Sequence, residues 1–158
     1  MAKYSIQLFS FFILSLVFFS CGNSANKVKL DLMSYGLPIA IGAPAESVVV
    51  VDDLGVWKDV TVKHDDDYFV QILSSKASTL DASKLKSESL SEVKGSRFFA
   101  KIIQEDEAGF IFEKKIDERT NYDFRYFKIQ GDYEYSFQTG LIGTFSEDQV
   151  RAMYTSVQ

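Results

Sequence analysis

The chain has 158 residues, with 17 Lys and Arg against 22 Asp and Glu and a formal net charge of −5. That length suits one domain, 46% apolar residues exclude a disordered chain, and the acidic balance argues against nucleic acid as a partner. A single Cys and a single His leave no material for a disulfide framework, a multi-cysteine metal cluster or a His-rich relay, so neither a metal nor a cofactor is expected.

Residues 1–20 read as an address. Lys3 charges the start, Leu8 to Phe19 is an apolar stretch broken by Ser10 and Ser15, and small Ser20 closes it. These are the parts of a secretory signal, and the stretch falls short of the roughly 20 apolar residues that a membrane span needs. The segment Val17-Phe18-Phe19-Ser20-Cys21 resembles the lipobox of bacterial lipoproteins, with Phe18 where Leu or Val is usual. The resemblance implies cleavage before Cys21, a diacylglyceryl group on its thiol and acylation of the new amino terminus. Residues 1–20 are then a signal peptide, 21–28 a small and polar tether, and 29–158 a single domain. Gly22 after the cysteine, with no acidic run following, implies an outer-membrane position facing the periplasm. Removing residues 1–20 takes away Lys3 and no acidic residue. The mature chain is therefore more acidic still, which argues against its folded surface lying on anionic headgroups.

Leu37 to Ile41 reads as a strand stopped by Gly42-Ala43-Pro44, with Pro38 suited to an edge or strand start. Val48 to Val51 is β-branched throughout, the pattern of a strand covered on both faces. Asp52 to Gly55 is a turn. Trp57 to Lys63 and Tyr68 to Ser74 are strands joined by the turn His64-Asp65-Asp66-Asp67. From Asp81 to Lys94 the rhythm becomes helical, with Leu85, Leu90 and Val93 as sparse apolar points and Gly95 at the expected end. Four strands follow: Phe98 to Gln104, Phe110 to Ile116, Tyr122 to Ile129, and Tyr133 to Thr139. Their short polar links predict antiparallel neighbours. Ser146-Glu147-Asp148-Gln149 is a capping-box signature for a closing helix to about Tyr154.

The order of strands, helix, strands and helix predicts an α+β domain. We expect a mainly antiparallel sheet of about seven to eight strands with two helices packed on it. Over residues 35–158 the pattern resembles the PsbP/Mog1-type sandwich. The likeness rests on the opening strand around Gly36 to Ile41, the mid-chain helix, the meander, and the helix after Thr144-Phe145-Ser146. That resemblance implies a binding or assembly role rather than an enzyme.

No catalytic residue emerges. His64 with Asp65, Asp66 and Asp67 lacks the EF-hand spacing and reads as a solvated turn, as do Glu105, Asp106 and Glu107. Ser83, Ser87, Ser89 and Ser91 lie on a helix without a nucleophile elbow. Neither standard phosphate-loop pattern is present. The aromatic triplets Tyr122, Phe124, Tyr126 and Tyr133, Tyr135, Phe137 alternate along neighbouring strands. They could line a groove for a lipid, glycan or peptide, or form the sheet face beneath a helix. The expected function is a membrane-anchored, non-catalytic accessory module of the cell envelope with an envelope protein partner. The alternative is a small-ligand binder using the aromatic face.

Overall fold

A computed structural model describes residues 27–140 and 142–158. The expected signal peptide, Cys21 and residues 22–26 of the expected tether lie outside the described residues. Among the described residues there are nine strands and two α-helices in one α+β domain; the expected class holds, with seven strands in the main sheet and two in a separate ladder. The strands are β1 (Lys27–Asp31), β2 (Ala40–Pro44), β3 (Val48–Asp53), β4 (Trp57–His64), β5 (Tyr68–Lys76), β6 (Phe99–Glu105), β7 (Gly109–Ile116), β8 (Arg119–Gln130) and β9 (Tyr133–Thr139). The helices are α1 (Ala82–Gly95) and α2 (Glu147–Ser156). β1 and β2 form a two-stranded sheet, and the other seven run in the order β3-β4-β5-β9-β8-β7-β6, every neighbour antiparallel.

The two helices take opposite faces of the large sheet. Val60, Val62, Val70, Ile72, Ile111, Phe124, Tyr135 and Phe137 alternate onto one face. There they meet Val150, Met153, Tyr154 and Val157 of α2, together with Leu32, Leu37, Ile39 and Ile41 of the β1–β2 unit. On the other face, Phe110, Phe112 and Phe127 are covered by Leu85, Leu90 and Val93 of α1. The expected capping box starts α2: Ser146 Oγ accepts from the Gln149 amide, and Gln149 Oε1 accepts from the Ser146 amide. For α1 the N-cap is Asp81, whose carboxylate accepts from the Ser83 amide.

Three sequence expectations need correction. β1 begins at Lys27, inside the stretch assigned to the tether, because Lys27 to Asp31 pairs with Pro44 to Ala40. The expected strand Leu37–Ile41 is displaced to Ala40–Pro44, since Met33–Tyr35 forms a 3₁₀ turn and Leu37 plugs into the core behind it. Pro44 is tolerated as the last residue of a two-stranded ladder. Val48–Val51 is not covered on both faces. β3 is an outer strand of the large sheet, and Val48, Val50 and Val51 are exposed.

One buried charge ties the sheet together. Asp123 of β8 is buried and accepts from Thr139 Oγ1 at 2.6 Å, Lys114 Nζ at 2.9 Å and Arg125 Nη1 at 2.9 Å. Burial pushes its carboxyl up, but Arg125, Lys114 and Thr139 outweigh that and hold it below the ordinary carboxylate range. The folded state therefore favours the carboxylate. That contribution is complete above the unfolded value near pH 4 and is lost as pH falls through the lowered folded value. Asp123→Ala is expected to lose about 3 kcal/mol at neutral pH. In urea titrations at a series of pH values, the gap between variant and parent should narrow below about pH 4.

Candidate functional site

A hollow of about 700 Å³ opens at the end of the sheet where β4 starts, β5 ends and β9 starts. Local turn chemistry builds its walls. In the β3–β4 hairpin the Gly55 amide donates to Asp53 Oδ1 at 3.0 Å, and Gly55 has φ 81°, a left-handed conformation that glycine adopts without strain. The opposite wall is Gly36, Leu37 and Pro38, just past the 3₁₀ turn. Gly36 also has φ 81°, a conformation a side chain would strain, and the Lys58 ammonium end lies against it. On the opposite face of β9 from Tyr133 and Tyr135, Glu134 accepts from Ser75 Oγ and from the Ser78 amide and hydroxyl, fastening the end of β5 to β9.

The lining combines aromatic planes with polar groups. Trp57 is 42% exposed and Tyr133 46% exposed, so both present ring surface at the rim. Lys58 Nζ lies 3.4 Å from Asp53 Oδ2, and Lys76, Ser74 and Ser75 complete the polar set. The Gly55 amide and then Lys58 hold the Asp53 carboxyl below its usual range, so it stays ionised at neutral pH. At the floor, Tyr135 is buried and its hydroxyl has no hydrogen-bond partner. Burial pushes that phenol up. Neighbouring Ser74 eases the shift without reaching hydrogen-bonding geometry. A smaller hollow of about 240 Å³ on the α1 face shares Trp57 and Tyr135 and adds Leu73, Leu85 and Phe127.

The six aromatic candidates divide between core and cavity. They share a sheet face, but the β8–β9 register sets only Tyr126 against Phe137. Tyr133 and Tyr135 face Gln130 and Lys128 instead, and line the cavity. Phe124 and Phe137 are buried beneath α2, and Tyr126 and Tyr122 are half-buried beside them. Tyr154 of α2 meets Phe124 edge-on at 5.7 Å and Tyr126 at 5.9 Å. Trp57, Lys58, Lys76, Ser74 and the Gly36–Pro38 wall were not singled out from the sequence. The available signal was that Trp57 is the sole tryptophan and follows a Gly55-Val56 turn.

The acidic clusters do not converge. Asp65 to Asp67 are exposed at the β4–β5 turn, with His64 Nδ1 3.6 Å from Asp65 and Gln149 Nε2 bound to Asp67. Glu105 pairs with Lys86 at 2.6 Å, and Asp106 accepts from Tyr154 Oη at 2.8 Å. Among the described residues no group of three His, Cys, Asp or Glu side chains could hold a metal ion, and no helix is long and apolar enough to cross a membrane. No protein family, curated protein or solved structure matches this chain.

The orphaned phenol gives a direct test of the cavity floor. A buried donor without a partner costs stability, so Tyr135→Phe is expected to raise it by about 1 kcal/mol. Thermal or urea unfolding of the apo protein checks this; a loss of stability would show that the hydroxyl is bonded within the fold.

Proposed function

We propose that this protein is a lipid-anchored, non-catalytic interaction module of a bacterial cell envelope. The observation that carries the reading is the position of Cys21, which follows an apolar leader of signal length and stands six residues before the first strand. A thioether-linked diacylglycerol plus an amide-linked acyl chain would anchor it stably, where one chain holds only marginally. Six extended residues reach at most about 20 Å, so Lys27 would be held near the headgroups.

The fold then orients the molecule. Lys27 pairs with Pro44, and nearby Gly42 accepts from the Tyr68 hydroxyl at the start of β5. The cavity lies at the other end of that strand, where Lys76 pairs with Tyr133 and Pro38 accepts from Gln130. Leu54, Val56, Trp57, Leu80 and Tyr133 are exposed around that end. Exposed apolar groups gathered at one end support an interaction surface aimed away from the bilayer. Cys21→Ala is expected to move the protein from the membrane to the soluble fraction and to remove the acyl mass from the intact protein. Unchanged partition and mass would refute the anchor.

The cavity favours a second reading, a small-ligand binder. Aromatic planes at Trp57 and Tyr133 beside Asp53, Lys58 and Ser75 are the mixture a sugar ring takes, with C–H faces on the rings and hydroxyls on the charges. Because Trp57 is the sole tryptophan and lines both hollows, its fluorescence reports binding at this end of the sheet. A neutral oligosaccharide of N-acetylglucosamine is expected to shift or quench that emission, and Tyr133→Ala to weaken the response. No response to the sugar, or an equal one to decanoate, would remove this reading.

A further inference from the structure

The large sheet has two outer strands, and they are built differently. β6 is irregular: its register on β7 breaks between Phe99 and Lys101 and again between Ile102 and Gln104. It carries Lys101, and Lys86 of α1 reaches across to its last residue, Glu105. Bulges and lysines are the devices by which a sheet edge is kept from recruiting another chain. β3 has none of them. Its six residues pair with β4 in unbroken register from Val48 to Asp53, with no proline, lysine or bulge. Val48, Val50 and Val51 are 55%, 42% and 37% exposed, and among the described residues no strand pairs with the outer side of β3. An unbroken, exposed apolar edge of this kind is a template for one more strand.

Charge decides what that strand can be. Glu46 stands before the four valines and Asp52 and Asp53 after them. Asp52 sits directly opposite Asp59 of β4, a like-charge pair on one face. Asp53 has Lys58, but among the described residues no salt bridge reaches Asp52, Asp59 or Glu46. A second copy added antiparallel would bring Asp52 and Asp53 of each chain beside Glu46 of the other, and both copies carry net negative charge. Like charges at both ends of the seam oppose self-pairing. An apolar segment with basic ends satisfies the same edge.

We propose that β3 binds an extended segment of another protein, β-branched and apolar at its centre and flanked by Lys or Arg. The proposal rests on the interaction-module reading and gives its partner a chemistry. Main-chain hydrogen bonds along β3 hold the segment, and the exposed Asp52 and Glu46 select the basic flanks.

The test uses the full chain in detergent micelles and a synthetic peptide of alternating Val and Thr with two lysines at each end. Binding is expected by fluorescence polarisation, with new hydrogen-exchange protection at the amides of Val48–Asp53. The same peptide flanked by glutamates is expected to bind at least about tenfold more weakly. Val50→Lys and Asp52→Lys alter exposed side chains and should fold as the parent does; each is expected to weaken the lysine peptide about tenfold. Absence of lysine-peptide binding, protection elsewhere, or protection of Val48–Asp53 by concentration-dependent self-association would each overturn the proposal. If crosslinking in intact cells still captures an envelope protein through residues away from β3, the module reading survives while the strand-addition proposal fails.

Discussion

Two short helices cannot cover seven strands, and the open parts of this molecule follow from that. At about 4.8 Å per strand the sheet is roughly 30 Å wide, whereas one helix with its side chains covers about 10 Å. On one face the deficit is met by α2 together with the β1–β2 unit, whose Leu32, Leu37, Ile39 and Ile41 complete the core. On the other face α1 packs against β6, β7 and β8. The β3–β5 half carries Gln71 hydrogen-bonded to Asp59 and to Gln138, a polar ladder suited to an open surface. The smaller hollow at Trp57, Leu73 and Leu85 lies on this under-covered face, whereas the end cavity opens on the other face beside the Gly36–Pro38 segment.

The fit of α2 depends on missing side chains as much as on apolar ones. At Gly109 a Cβ would come within 2.6 Å of both the Tyr154 hydroxyl and the Arg125 carbonyl, so the start of β7 must be bare for the helix to seat. Tyr154 then threads between Phe124 and Tyr126 and places its hydroxyl on Asp106. Burial and the Asp106 carboxylate push that phenol well above its usual value, so it remains a donor across the working pH range. Four of the six tyrosines and phenylalanines in the two aromatic triplets are drawn to this helix, leaving Tyr133 and Tyr135 at the cavity.

How much was legible from the residues depended on whether the signal was local. Tyr133 to Thr139 alternates cleanly and is a strand with one packed face, and Ser146 with Gln149 marked the start of α2 because a capping box lies within four residues. The Val48–Val51 run misled because β-branching speaks to extended backbone, while coverage is decided by elements far along the chain. Leu37 and Ile39 are buried as their apolarity implies, yet they are not a strand; the 3₁₀ turn and its left-handed Gly36 set the register for Ala40–Pro44. The cavity was the least legible feature. Its residues come from four separate segments, and no spacing in the sequence links Gly36 to Trp57 or Lys76 to Tyr133.

The direction of β1 also governs how the domain carries mechanical load. Its ladder with β2 runs from Lys27 opposite Pro44 to Asp31 opposite Ala40, with the chain leaving Lys27 at the end remote from the cavity. A pull between the amino terminus and something held at the cavity end acts along the strand axis. It strains the rungs of that ladder together in shear instead of unzipping them one by one, and the Lys27 contact to the Ala152 carbonyl adds a further point of resistance. If the chain is tethered at Cys21 as proposed, the first strand acts as a strain relief for the body that follows it.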